Sequence, residues 1–137
     1  MKTEITLELA NKMIEGMKEY AVYRGAKVVM AVASKEGHPI SVQAMDDAFI
    51  VSYDLAVRKA FTAVAFKMPT EALGKLTGVG GEFEGLEKMM DIKIITLGGG
   101  YPVTSHGQVI GAIGVSGGSD EDDRLIAEYG ARFIEGV

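Results

Sequence analysis

Asp46 and Lys59 are the residues of this 137-residue chain with the widest chemical scope. Asp46 closes a β-like run, and Lys59 lies three turns into the helical run that follows, beside Thr62. A carboxylate and an amine can act as an acid–base pair on a small oxygenated ligand if burial brings one of them toward neutral pH. The bland alternative is a helix cap with a solvated lysine. Gly99, Gly100 and Tyr101 would complete a polar rim, where backbone N–H groups and a phenol orient a small molecule. His38 and His106 are candidate ligands for iron or another metal, because neutral imidazole is a common donor, with Tyr101 or a methionine as alternatives. Both histidines fall at hairpin turns, so a solvated turn histidine is the simpler reading of each. Two histidines do not make a closed structural zinc site. Most of the eight Met, Met13, Met17 and Met30 among them, sit at core-like positions as adaptable filler.

Other patterns fail on their own chemistry. Gly114-Val115-Ser116-Gly117-Gly118 fits G-x-S-x-G between a strand and a helix. A nucleophile elbow, however, takes its acid and histidine after the serine, and both histidines here precede Ser116. The same segment could cradle a phosphate at a helix start. Ser119 is followed by Asp120, Glu121, Asp122 and Asp123, which complement the helix dipole and repel an anion. Ser119 with Asp122 resembles a capping box. A calcium loop lacks the required glycine and distal glutamate. Gly78-Val79-Gly80-Gly81 begins like a dinucleotide fingerprint, but Phe83 occupies the third glycine position, leaving a flexible loop.

The elements that must hold these residues follow from periodicity. Leu7, Ala10, Ile14, Met17 and Ala21 recur at helical spacing, with Thr6 as N-cap and Gly25 as the stop. Residues 27 to 33 read as a buried strand, and Glu36-Gly37 turns it into a second strand from Pro39 to Met45. Asp46 or Asp47 is expected to cap a long helix that Met68-Pro69 ends. On that helix Tyr53, Val57, Ala60, Phe61 and Val64 share the face expected on the sheet, leaving Val51, Leu55 and Phe66 outward. A helix apolar on two sides is commonly buried twice, here by a second copy of the chain. A short helix capped by Thr70 follows, then a glycine-rich loop over 77–85 and one further turn over 86–90. Residues 92 to 97 read as a third strand, and a hairpin turning at Ser105-His106-Gly107 supplies two more. Glycines inside its second strand imply that another backbone or a ligand comes very close. Ser119 opens the last helix, with Leu125, Ile126, Tyr129, Phe133 and Ile134 as its apolar stripe. Five strands interleaved with helices give an α+β sandwich in one domain, residues 1–137.

Composition bounds the partners. A net charge of −5 and the lack of a basic stripe exclude nucleic acid. With no cysteine there are neither disulfides nor thiolate metal sites. No apolar run is long enough to cross a membrane, and the first residues carry no signal-like apolar segment, so a cytoplasmic protein is expected.

Four segments carry a resemblance to a known family. The stretch from Gly98 to Gly118, Met45-Asp46-Asp47-Ala48, Lys59-Ala60-Phe61-Thr62-Ala63 and the turn Ser34 to His38 resemble motifs of the GlcG/HbpS-like, or haem-degrading domain, family. The same domain forms the C-terminal part of PduO-type proteins. The family often has an arginine before its Met-Asp box. Ala44 stands here instead, so that anchor for a ligand carboxylate is absent. The resemblance spans residues 5 to 133 and implies a profilin-like α/β/α sandwich around a five-stranded antiparallel sheet. It further implies a small homo-oligomer that binds haem, a related tetrapyrrole or another small molecule, auxiliary to diol, glycerol or glycolate metabolism. Adenosyltransferase chemistry belongs to a different domain of PduO-type proteins, which nothing here resembles. Arg24, Arg58 and Lys59 are the cations available to haem propionates. Under this reading no residue is catalytic. The alternative is an enzyme using Asp46 and Lys59 as its acid–base pair.

Overall fold

The computed structural model describes residues 3–133. Its elements are α1 (Leu7–Arg24), β1 (Val29–Ser34), β2 (Pro39–Ala44), α2 (Val51–Phe66), α3 (Thr70–Thr77), α4 (Leu86–Met89), β3 (Gly100–Ser105), β4 (Gln108–Ser116) and α5 (Asp120–Ala131). The strands form one antiparallel sheet in the order β2-β1-β4-β3.

Side chains alternate across a strand, so β1 feeds both faces of the sheet. Val28, Met30 and Val32 join Met13, Ile14 and Met17 of α1, Ile113 and Val115 of β4, and Ile126 of α5 in the larger core. Val29, Ala31 and Ala33 face the other way and meet Ala56 and Ala60 of α2. The result is three layers, with α1 and α5 on one side of the sheet and α2 on the other.

Helix α1 forms as its sequence dictates. The Leu9 N–H donates to Thr6 Oγ1 at 3.1 Å, and Gly25 closes the helix at φ +73°. Helix α5 starts with Ser119 accepting from the Asp122 N–H at 3.0 Å. Arg24 Nε donates to Asp122 Oδ1 at 2.7 Å, tying α1 to α5 and holding the Asp122 carboxyl below the usual carboxylate range. Ile126 lies in the core, while Tyr129 is exposed and stacks on Tyr20 at 4.7 Å. Ile134, assigned to the same stripe, lies outside the described residues.

Four expectations are corrected. The sheet has four strands rather than five, because residues 92–97 are irregular and pair with none of its strands. The Ile95 N–H donates to Thr62 Oγ1, and Thr96 O lies where a side chain on Gly74 would stand, so the segment lies on α2 and α3. Helix α2 begins at Val51 with no side-chain cap; Asp46 and Asp47 sit in the preceding turn, Asp47 at φ +66°. Thr70 does not cap α3 but is its buried first residue, and its Oγ1 accepts from the Gly100 N–H. Finally, α2 turns Ser52, Ala56, Ala60 and Ala63 inward, while Val51 and Tyr53 are exposed. The cause is β4: a Cβ on Gly114 would lie 1.8 Å from Ala56 O, so the helix backbone rests almost directly on the sheet. Only small side chains fit in that gap.

Candidate functional site

The close approach of α2 to β4 carries Lys59 to the end of β4, where its stem is covered and its amine meets polar groups. Lys59 Nζ donates to Val115 O at 2.9 Å and lies 3.4 Å from Asp123 Oδ2. The two side chains are 3% and 6% exposed. Asp123 Oδ1 in turn accepts from the Gly118 N–H at 2.9 Å. Burial pushes the Lys59 amine down, against the fields of Asp123 and the more distant Asp120. Burial also pushes the Asp123 carboxyl up, against Lys59 and the Gly118 N–H. Both shifts move the pair toward sharing its proton.

A cavity of about 290 Å³ opens onto this pair. Its polar wall carries Ser52 and Ser116, 2% and 4% exposed. Its apolar wall is Phe49, Val51, Leu55 and Leu97. Glycines make the room. Gly99 has φ +121°, and a Cβ there would stand 2.3 Å from Val115 O and 3.0 Å from Lys59 Nζ.

The residues singled out by sequence divide between places. Lys59 and Gly99 adjoin the cavity. Gly100 is buried beside it, where a Cβ would lie 2.5 Å from Lys59 O. Thr62 is buried, donating to Arg58 O and accepting from the Ile95 N–H, so it positions the 92–97 segment. Tyr101 packs on the larger core, across the sheet from α2. Asp46 is exposed in the turn after β2, and the carboxylate bonded to Lys59 is that of Asp123. Asp123 was missed as a partner because four successive acids read as dipole charge. Its spacing does carry a signal: Asp123, Ile126, Ala127 and Gly130 form one buried stripe.

Both histidines are exposed. Ser34 pairs with Gly111 and Ser105 with Gln108, so their two turns lie at one end of the sheet, opposite the Lys59 cavity. His106, at φ +50°, places Nδ1 3.2 Å from Ser105 Oγ. His38 follows Gly37, which with Val57, Phe61 and Ile92 lines a groove of about 260 Å³. Arg58 and Asp54 are charged at its edge and bond each other at 3.0 Å. Among the described residues no group of three or more His, Asp or Glu side chains could hold a metal ion. None of their helices is long and apolar enough to cross a membrane.

A family model described as haem degrading protein HbpS-like matches residues 5–132. The chain is 40% identical over 124 residues to an uncharacterised 15.0 kDa protein encoded between dhaT and dhaS in Citrobacter freundii, covering 90% of this chain and 87% of that one. Among solved structures, protein ORFY of Klebsiella pneumoniae is 33% identical, with a TM-score of 0.93 over 100% of this chain and 95% of that one. A PduOC:heme complex is 34% identical, with a TM-score of 0.88 over 93% of each chain.

Proposed function

The chain belongs to the HbpS-like family, and from that premise we propose that it binds haem or a related tetrapyrrole, as a homo-oligomer. The observation carrying this reading is the likeness to the PduOC:heme complex, which extends over nearly the whole chain. The groove beside His38 is the part of the molecule whose chemistry fits the group. Val57, Phe61 and Ile92 offer the apolar surface that a macrocycle needs, and Arg58 offers a guanidinium for a propionate. His38, exposed and adjacent in sequence to Gly37 of the groove, is the imidazole we assign to the iron. Bound there, haem would supply an iron centre whose behaviour its axial donor tunes.

A groove of about 260 Å³ is below the usual range for enclosed ligand sites, so one chain covers only part of a macrocycle. A second copy supplies the remaining cover in this reading. The exposed apolar residues Ile50 and Tyr53 at the start of α2, with Ile92 at the groove itself, give that copy a surface to bury.

Haemin titration of the purified chain tests the proposal. A saturable shift of the Soret band is expected, retained in His106→Ala and lost in His38→Ala. Loss instead in His106→Ala or Tyr101→Phe would move the iron away from the groove and overturn this placement. A non-saturating change in every protein would overturn haem binding itself.

A further inference from the structure

We propose that the cavity over Lys59 is a second, separate site, in which Lys59 captures a short hydroxylated aldehyde or ketone as a reversible imine. Taking both charges of an ion pair out of water is costly, and a purely structural pair repays it through close packing and hydrogen bonds on every side. This pair faces open space instead. A Cβ at residue 99 would crowd Lys59 Nζ at 3.0 Å, and one at residue 118 would crowd Asp123 Oδ1 at 3.2 Å. Glycine at both positions keeps the two functional atoms uncovered.

The walls specify the ligand. Ser52 and Ser116 set two hydroxyl-bearing side chains in the cavity wall, matching a ligand that carries an oxygen besides its carbonyl. Leu55 and Leu97 on the opposite wall suit a short carbon chain. The charged groups lining the cavity are Lys59, Asp123 and Asp120, and Asp120 is itself bonded to Arg124 at 3.0 Å. With two carboxylates and one amine around it, the cavity disfavours an anionic ligand.

The chemistry balances within the pair. Lys59 with Asp123 holds one mobile proton, whether as ammonium and carboxylate or as amine and carboxylic acid. In the second state the Lys59 nitrogen adds its lone pair to the carbonyl carbon. The carbonyl oxygen takes a proton from Asp123, and the carbinolamine forms as the nitrogen returns a proton to the carboxylate. Asp123 then protonates the hydroxyl, the C–O bond breaks, and water leaves an iminium on Lys59. Nothing is oxidised or reduced, and water reverses the sequence. Burial, which lowers the amine, favours the reactive form.

Reductive trapping reads this out. The chain is incubated at near-neutral pH with glycolaldehyde and cyanoborohydride, and adducts are located by peptide mass mapping. Trapping at Lys59 is expected to saturate with probe concentration and to run about tenfold faster than at the exposed Lys12 and Lys67. Ser116→Val, which fills the cavity, and Leu97→Trp, which narrows its exposed wall, should each slow trapping at Lys59 and leave Lys12 unchanged. Circular dichroism verifies that both variants fold. Trapping at Lys59 no faster than at Lys12, or unaffected by Leu97→Trp, would overturn the proposal. Neither result depends on whether the His38 groove binds haem.

Discussion

Lys59 is a charge held almost entirely out of water, and a single carboxylate answers it. Such a pair gains little net stability, because desolvation consumes much of the Coulombic attraction. Breaking it is another matter. Lys59→Met leaves Asp123 buried without a counter-charge and is expected to cost about 3–5 kcal/mol in urea unfolding. Adding Asp123→Leu removes the orphaned charge, so the double variant should recover much of that loss. A double variant as unstable as the single one would mean that Lys59 acts through packing alone. Part of this arrangement was legible in the sequence. The sequence singles out Lys59 but points to Asp46, 13 residues before it, whereas the carboxylate that meets it, Asp123, lies 64 residues after it. The buried stripe of α5 holds the missing clue, since Asp123 shares its face with Ile126 and Gly130.

Elements decide where such residues end up, and here the decisive contact is between α2 and β4. Gly114→Ala would drive a methyl group into Ala56 O and force the helix off the sheet. A loss of about 1–3 kcal/mol or more is expected in urea unfolding. Gly107→Ala meets open space at φ +78°, so it should cost only the backbone strain, about 1–2 kcal/mol. Equal losses would show that the close approach is not what glycine serves at position 114. The α1 boundaries, both hairpins and the start of α5 could be read from caps and turns, because those signals are local. The inward face of α2 could not. Ranking its faces by hydrophobicity places Tyr53 inside, yet the close approach at Gly114 admits only small side chains, and Val57 packs half-buried at the edge of that layer. The β-branched run at 92–97 fails similarly: whether it joins the sheet depends on Thr62 of α2, which takes the Ile95 N–H.

At the scale of the molecule, the sheet separates two environments. Large side chains fill the layer under α1 and α5, while small ones fill the layer under α2. The outer side of α2 and the turn before it leave Ile50 and Tyr53 exposed, Ile50 at 96%. If a second copy covers them, as proposed, folding and association are linked, and Tm should rise with protein concentration. Ile50→Lys should abolish that rise and reduce the mass in light scattering to that of one chain. A concentration-independent Tm in the unmodified protein would rule out this association. The order β2-β1-β4-β3 has one more consequence. Its central pair aligns Met30 with Val115, partners from opposite ends of the sequence. Closing that distance must precede most of the enthalpy gained by the sheet, which slows folding. During synthesis α1 can cover Val28, Met30 and Val32 only in part, and the rest of their cover waits until β4 and α5 have emerged. Until β4 and α5 emerge, that part-covered apolar face is open to aggregation.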